Sequence, residues 1–501
     1  MKKIISIFII TLLSSAILTA QSNKTKRADK HFNKFEFVEA AADYLKLITD
    51  GDGDTYIYGQ LAESYYNVYN FIEAEKWYAK ALENSSDPEM IFKYSLMLKA
   101  GGKYSEANEE LAKFAAMRPA DQRSIAYKNN PDYLQKILGK EKKFNVQRLK
   151  EPINSKTSDF GGTLKNGKLY ITSARNERNS RKTYGWTTEA FLDIYTADLN
   201  DKGEFLDPSL IKGNVNTKYH EGTVSFSPDG NTMYFSRESF YDKIYEKDPS
   251  TKYKISVLHL YKSIYQEGQW SEAEPLSLNG ENYSVKNPSV SSDGKILYFA
   301  SDKVGGYGNF DIYSAPIDEN GSVGEATNMG QKLNTEGQEM FPFISSNNTL
   351  YFSSNGHLGL GGLDVFFARI VDGKVGPVRN IGGGVNDYAD DFAFSINEET
   401  EEGFVSSNRL ADGKDMSDDI YSIKKLEPIC DVLMTVTVRD SKTGLILNGA
   451  TVSIQDSEGN IFGTKISNSE GVVEYIIECD VDTKLVGSKI DYESGSTTVA
   501  G

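Results

Sequence analysis

The chain has 501 residues, which is too many for one hydrophobic core and indicates about three domains. Charged residues make up 25% of it, a proportion typical of globular proteins, so a largely disordered chain is excluded. The formal net charge of −16 argues against nucleic acid and anionic lipid as partners, because both are themselves negatively charged.

Residues 1–20 have the pattern of a secretory signal peptide. Lys2 and Lys3 precede an apolar run that starts at Ile4 and ends at the small residue Ala20. A retained membrane anchor is the alternative, although such an anchor needs a somewhat longer apolar run. We therefore predict cleavage near Ala20 and a mature protein outside the cytoplasm.

Residues 27–120 have a helical pattern that repeats. The segments FVEA from Phe37, FIEA from Phe71 and YSEA from Tyr104 are spaced 34 and then 33 residues apart. This region resembles the tetratricopeptide repeat, whose helix pairs stack into a solenoid that usually binds a peptide or a partner protein. A spacer is the alternative. The acidic loop DGDGD from Asp50 departs from the calcium-binding EF-hand pattern, so it is predicted to be a polar connection.

Residues 143–426 contain a β-hairpin that recurs. Its clearest copy is VSFSPDGNTMYFS from Val224, in which two strands flank a Pro-Asp-Gly turn. The other copies are GTLKNGKLYITS from Gly162, PSVSSDGKILYFAS from Pro288, PFISSNNTLYFSS from Pro342 and AFSINEETEEGFVSS from Ala393. This array predicts a five-bladed β-propeller, with six blades as the alternative. The strand FNVQRL from Phe144 is expected to pair with the last blade and close the ring.

A second motif, Asp-Ile-Tyr or a close variant, follows each hairpin. Its aspartates are Asp193, Asp311, Asp364 and Asp419, and His259 takes their place in the second copy. A catalytic group is needed only once, so the repetition predicts a structural role as acceptors of backbone N–H groups in the preceding turn. Asp229 and Asp293 of the hairpin turns are also predicted to be structural. Together these motifs resemble the WD40-like PD40 repeats of periplasmic propellers such as TolB.

Residues 429–501 alternate predicted strands with turns. The elements Thr443-Gly444 and Glu470-Gly471 resemble those of the carboxypeptidase-regulatory-like fold, a small β-sandwich without peptidase chemistry. Both cysteines of the chain, Cys430 and Cys479, lie in this region beside predicted strands. We predict a disulfide between them, because the compartment is expected to be oxidising; two buried thiols are the alternative.

No catalytic or metal-binding motif is evident. The four histidines are scattered, and the glycine-rich stretches are better explained as turns than as phosphate loops. The chain is therefore predicted not to be an enzyme and to use neither a metal nor a cofactor. Binding is expected at loops that vary between blades, above all at Tyr241, Tyr245 and Tyr253, which suit contact with a partner.

The order of these regions resembles the multidomain OmpA-family envelope proteins of Bacteroidetes, which include type IX secretion and gliding components. The resemblance implies a non-enzymatic scaffold in the periplasm, associated with the outer membrane, that docks periplasmic or outer-membrane proteins. In that family an OmpA-like C-terminal domain binds peptidoglycan. The residues up to Gly501 contain no such domain, so peptidoglycan binding is not expected of them. The alternative is a glycan-binding or hydrolytic propeller protein of the envelope.

Overall fold

The structure is a computed structural model that describes residues 24–175, 183–247, 253–371, 373–410, 417–426, 431–455, 459, 461–478 and 482–500. The predicted signal peptide and both cysteines, Cys430 and Cys479, lie outside these residues. Within the described ranges, no helix is long and apolar enough to span a membrane. The chain forms two compact units, Met1–Ala120 with Asn176–Phe191, and Asp121–Arg175 with Leu192–Gly501.

The first unit is built from successive packed helices, with two further helices opening the second unit. They are α1 (Lys26–Phe32), α2 (Phe37–Thr49), α3 (Thr55–Asn67), α4 (Phe71–Leu82), α5 (Pro88–Ala100), α6 (Tyr104–Met117), α7 (Gln122–Asn129) and α8 (Tyr133–Leu138).

The helical repeat is visible in the packing. The aligned alanines Ala40, Ala74 and Ala107 are each 0% exposed, because their small side chains allow neighbouring helices to approach closely. Asp54, the last residue of the acidic DGDGD loop, caps α3 by accepting a hydrogen bond of 2.9 Å from the backbone N–H of Ile57. This cap gives the loop a role in starting a helix.

The second unit contains five antiparallel sheets of four or five strands, formed by described residues between 144 and 425. The strands are β1 (Phe144–Arg148), β2 (Asp159–Lys165), β3 (Lys168–Ser173), β4 (Asp193–Asp198), β5 (Ser209–Leu210), β6 (Glu221–Phe226), β7 (Thr232–Glu238), β8 (Glu246–Lys247), β9 (Lys254–Ile255), β10 (Leu258–Gln266), β11 (Gln269–Trp270), β12 (Glu274–Pro275), β13 (Val285–Val290), β14 (Ile296–Ser301), β15 (Asp311–Pro316), β16 (Thr327–Asn328), β17 (Glu339–Ile344), β18 (Thr349–Ser354), β19 (Asp364–Val371), β20 (Lys374–Val375), β21 (Arg379–Asn380), β22 (Asp391–Asn397), β23 (Glu402–Ser407) and β24 (Asp419–Lys425).

Within each sheet, the longer strands that follow one another in sequence lie side by side, except that β1 is added at the outer edge of the last sheet. The sheets are β2–β5, β6 with β7 and β10–β12, β13–β16, β17–β21, and β22–β24 with β1. Among the described residues, strands β8 and β9 form a separate two-stranded sheet. As predicted, the strand from Phe144 joins the last sheet, where it pairs antiparallel with β24 and Phe144 lies opposite Lys425. The chain is therefore a helical region followed by a closed β-propeller.

The remaining strands form two small sheets around one apolar cluster. They are β25 (Asp431–Thr437), β26 (Thr451–Gln455), β27 (Ile461–Ile466), β28 (Val472–Glu478), β29 (Thr483–Ser488) and β30 (Gly495–Val499). One sheet is β25–β28 and the other is ordered β27-β26-β29-β30. Val452, Val473 and Tyr475 are among the buried side chains between them. The two sheets therefore share one apolar cluster.

Candidate functional site

The repeated aspartates lie where the third strand of each sheet begins. Asp311 accepts hydrogen bonds from the backbone N–H groups of Tyr307 (2.7 Å) and Gly308 (3.0 Å). Asp364 accepts the equivalent pair from Leu360 and Gly361, each at 3.0 Å. These bonds connect each aspartate to the preceding glycine-rich turn, which is the geometry expected of a structural acceptor.

The other two aspartates of this motif have different surroundings. Asp419 forms a bidentate ion pair with Arg148 of β1 (2.6 and 2.9 Å), and this pair adds a second link between the first strand and the last sheet. Asp193 is 8% exposed, and its charge adds to burial, the main cause, in raising the pKa of Glu221.

The turn aspartates hold the hairpins. Asp229 accepts hydrogen bonds from Ser227 and from the backbone N–H of Asn231, and Asp293 does the same with Ser291 and Lys295. These bonds stabilise the charged form and lower the pKa of both carboxyls. Both side chains therefore fix the turn that joins the first two strands of their sheets.

A repeated asparagine, which the sequence patterns above did not single out, forms two hydrogen bonds to the backbone of each of the five propeller sheets. Its amide accepts from the N–H and donates to the C=O of the residue that follows the Asp or His of the Asp-Ile-Tyr motif, at 2.8–3.0 Å. The pairs are Asn216 with Ile194, Asn279 with Leu260, Asn334 with Ile312, Asn386 with Val365, and Asn154 with Ile420.

Replacing Asn334 with Ala is expected to lower the free energy of unfolding by about 2–3 kcal/mol, because the N–H and C=O of Ile312 both lose a buried partner. Asn334 is 0% exposed, so water does not replace the amide. The propeller transition in thermal or denaturant unfolding measures the effect. Asn145→Ala, at an exposed position, is the matched control. Equal losses of stability in both variants would contradict the role given to the two hydrogen bonds of Asn334.

Buried carboxylates begin the innermost strand of four sheets. Asp159, Glu221, Glu339 and Asp391 are each 0% exposed. Each accepts a hydrogen bond from the backbone N–H four residues earlier, as Glu221 does from Thr217 at 2.9 Å. Burial raises the pKa of Glu221 and of Glu339 to about 7.

The second sheet carries a cluster of buried titratable groups. Glu221 pairs with the buried guanidinium of Arg237 at 2.9 Å. Burial, with repulsion from Glu221, raises the pKa of Glu238 to about 7. His220 lies 3.9 Å from Glu238, and burial lowers the pKa of this imidazole to about 3. Glu238 therefore lies in buried surroundings that favour its protonated form near neutral pH.

The innermost strands surround a cavity of about 180 Å³. Each of them carries a bulge at a residue with positive φ, namely Gly161, Thr223, Asn287, Phe341 and Ala393. Backbone, small polar and aromatic groups dominate the lining, and no carboxylate is among the described residues that line it. The buried carboxylates at the strand starts therefore do not face this cavity.

A row of aromatic rings lies beside the buried cluster of the second sheet. Tyr219, just before β6, lies 6.1 Å from Phe240, and Phe240 lies 6.1 Å from Tyr245, both measured between ring centroids. We call these three side chains the aromatic row. Tyr245 is 37% exposed. Tyr219 could not be assigned to the aromatic row from the sequence, because the β6–β7 hairpin separates it from the loop that carries Tyr241 and Tyr245.

Buried contacts hold the loop that carries this row. Ser239 is 0% exposed; its N–H donates to the C=O of Val257 (2.9 Å) and its hydroxyl to the C=O of Ile244 (2.9 Å). Tyr241, which is 39% exposed, stacks on the guanidinium of Arg237 at 4.5 Å from its ring centroid. The structure thus brings Tyr241 and Tyr245 into one anchored loop, and Tyr253 directly precedes Lys254 of β9 in the same segment.

Lysines flank both ends of the aromatic row. The Nζ of Lys218 lies 5.2 Å from the ring centroid of Tyr219, and that of Lys254 lies 3.9 Å from the centroid of Tyr245. Lys247 pairs with Lys254 across the β8–β9 hairpin. The ammonium of Lys254 lowers the pKa of the Tyr245 hydroxyl. Lysines therefore accompany a row in which Tyr245 is exposed and Tyr219 and Phe240 are half-buried, in a chain whose net charge is −16.

No group of three or more His, Cys, Asp or Glu side chains within the described ranges is placed to hold a metal ion. The arrangement at the aromatic row offers ring faces, hydroxyls and ammonium groups, which are recognition chemistry.

No protein-family model and no curated protein matches the chain. Similar solved structures include a TolB-like protein from Agrobacterium tumefaciens (15% identity, 58% of this chain and 87% of that chain, TM-score 0.28). An alpha-L-arabinofuranosidase from Lactobacillus brevis has 10% identity and a TM-score of 0.31, and the match covers 56% of this chain and 91% of that chain. A xylan beta-1,4-xylosidase from Bacillus halodurans has 12% identity and a TM-score of 0.33, and the match covers 70% of this chain and 92% of that chain. Such similarity bears on the fold and on nothing finer.

The prediction that the chain is not an enzyme is withdrawn, because the similar structures include several arabinofuranosidases and a xylosidase. The physical reason is that catalytic side chains contributed by different sheets have no fixed spacing in sequence. The lack of a short catalytic motif therefore does not exclude enzymatic activity in a chain of this kind.

Proposed function

We propose that the chain is a saccharide-binding propeller protein of the cell envelope, and that the aromatic row binds an anionic polysaccharide. The observation that carries the proposal is the row itself, with rings 6.1 Å apart and lysines at both ends. Sugar rings have apolar C–H faces that pack on exposed aromatic rings, while their carboxylate or sulfate groups pair with ammonium groups.

The loop that carries the aromatic row is already fixed in the protein without a ligand. Ser239 fixes the loop and Arg237 supports Tyr241, so few side chains lose freedom when a ligand binds. Asp242, the acidic residue of the 3₁₀ turn Ser239–Asp242, accepts a hydrogen bond from the hydroxyl of Tyr261. Its negative charge is thereby partly satisfied within the protein.

Electrophoresis through gels that contain a polysaccharide tests this proposal. We expect alginate or polygalacturonate, which carry carboxylates, or a sulfated glycan to retard the protein more than neutral dextran or xylan. Tyr245→Ala should weaken binding about fivefold, which corresponds to about 1 kcal/mol for one lost ring contact. Tyr307→Ala removes a 45% exposed tyrosine outside the row and is the matched control. Unchanged mobility in every polysaccharide would rule the proposal out.

The same samples test turnover. Glu238 has a pKa of about 7, a value suited to a general acid, and it lacks the pairing with Arg237 that neighbouring Glu221 has at a similar pKa. Release of reducing sugar by the wild type, and its loss in Glu238→Gln with binding retained, would extend the function from binding to hydrolysis. Binding without release would limit it to recognition.

The second candidate function is the docking of periplasmic or outer-membrane proteins, as in type IX secretion or gliding assemblies. The helical repeat with its buried aligned alanines favours this candidate, because stacked helix pairs of the tetratricopeptide kind usually bind protein segments. This proposal takes the five sheets as five PD40-like blades and the last strands as a carboxypeptidase-regulatory-like domain. Crosslinking in intact envelopes would recover outer-membrane proteins if it holds.

A further inference from the structure

Trp186 lies in the helical unit, although in sequence it falls between strands β3 and β4 of the first sheet. Its ring stacks on Phe35 at 5.8 Å with an interplanar angle of 12°, and it meets the edge of Phe37 at 4.8 Å. Its indole N–H donates a hydrogen bond of 2.7 Å to the backbone C=O of Asn67 at the end of α3. Both the apolar and the polar parts of the indole therefore have partners.

The turns of the helical repeat hold aromatic residues in an unusual conformation. Phe35 (φ 59°) and Tyr69 (φ 60°) occupy the place that Gly102 (φ 70°) has in the next repeat. Glycine adopts this left-handed region without strain, whereas a bulky side chain does not. Phe35 is 41% exposed and Tyr69 is 47% exposed, so burial in a core does not explain why they replace glycine.

Residues 183–191, here called the arm, form a compact turn that presents the indole. Thr183 pairs with Ala190, and the N–H of Tyr184 donates to the C=O of Glu189 at 2.7 Å. Gly185 precedes the indole, and a Cβ at that position would come 3.1 Å from Cγ of Glu36. The space beside Glu36 therefore suits a segment in which glycine stands between an aromatic residue and Trp, as in Tyr184-Gly185-Trp186.

The geometry points to a peptide-binding site on the helical unit, formed by Phe35, Phe37 and the C=O of Asn67 and occupied here by the arm of the same chain. The ligand class is a protein segment with Gly-Trp in a turn. A partner protein with such a segment would bind by replacing Trp186. This inference does not depend on the proposed saccharide site, because none of its residues belongs to the aromatic row.

The test uses the full chain and a fluorescent peptide of residues 183–191, TYGWTTEAF. We expect the peptide to bind Trp186→Ala at least about tenfold more tightly than the wild type, because a tethered arm competes at an effective concentration on the order of 1 mM. Equal binding to both chains, or no binding to Trp186→Ala at about 1 mM peptide, would overturn the inference.

Two controls separate the site from general unfolding. A peptide with Ala in place of its Trp should bind neither chain. Phe35→Gly, made together with Trp186→Ala, should abolish peptide binding without lowering the melting temperature of the helices, because glycine suits the φ of 59°. Retained binding in that double variant would show that Phe35 does not form the site.

Discussion

Replacing Arg237 with Met is expected to lower the free energy of unfolding by about 3–5 kcal/mol at neutral pH, since buried Glu221 loses its counter-charge and must either stay charged without a partner or take up a proton. Arg237 is 1% exposed, and Met retains most of its apolar length. The variant also loses the hydrogen bond to the C=O of Val215 and the stacking on Tyr241. Denaturant unfolding followed by tyrosine and tryptophan fluorescence would measure the loss.

The loss should depend on pH in a defined direction. The pKa of Glu221 in the folded chain, about 7, lies above its ordinary value of 4.5, so this group takes up a proton on folding. Its contribution therefore becomes less favourable as the pH rises from 4.5 towards 7. Without Arg237 the folded pKa rises further, so Arg237→Met should cost more at pH 8 than at pH 5.

Two controls identify the cause. Adding Glu221→Gln to Arg237→Met removes the buried charge, so the double variant should recover part of the stability and lose the extra pH dependence. Lys168→Met breaks the exposed ion pair with Asp198 and should cost no more than about 1 kcal/mol. A loss of the same size at pH 5 and pH 8 would contradict the assignment to Glu221.

Replacing Phe144 with Ala is expected to cost about 3–5 kcal/mol, the range for truncating a buried aromatic side chain. Phe144 is 2% exposed and contacts Phe394 edge to face at 5.7 Å, within the apolar cluster that joins the fourth and fifth sheets. Because β1 is the outer strand of the last sheet, the cavity would weaken the closure of the ring. Calorimetric unfolding of the propeller transition would measure it.

Leu164→Ala is the matched control, because Leu164 is 47% exposed in β2 and its truncation leaves no buried cavity. We expect its effect to stay within about 0.5 kcal/mol. If both substitutions lowered stability alike, closure through β1 would not be a special point of the fold.

The propeller could be predicted because its local signals repeat. A turn between alternating apolar residues indicates a hairpin, and five hairpins that are each followed by Asp-Ile-Tyr or a close variant indicate an array. The unpaired strand from Phe144 then had one place left to pair, and β24 is its partner. Closure follows from the cost of an open sheet edge.

The repeated asparagine was harder to find, because its hydrogen-bond partner lies in another part of the sequence and the number of residues between the two varies. The signal is an Asn that follows Ile, Val or Leu, as in Val215-Asn216 and Leu333-Asn334, and it is weak because Leu199-Asn200 and Ile396-Asn397 show the same pair. The aromatic row was missed in part for a similar reason. Tyr219 and Phe240 come from opposite ends of the β6–β7 hairpin, and only the antiparallel pairing of Glu221 with Arg237 brings them together.

Closure through β1 also has a consequence for the time course of folding. Strand β1 is synthesised first, but its partner β24 comes last, so the pair that joins Phe144 to Lys425 forms only when nearly the whole propeller has been made. Contacts of such long sequence separation fold slowly. Until then β1 and β22–β24 expose unpaired edges to other chains. A nascent propeller of this kind should therefore need protection from aggregation until its last strand has emerged.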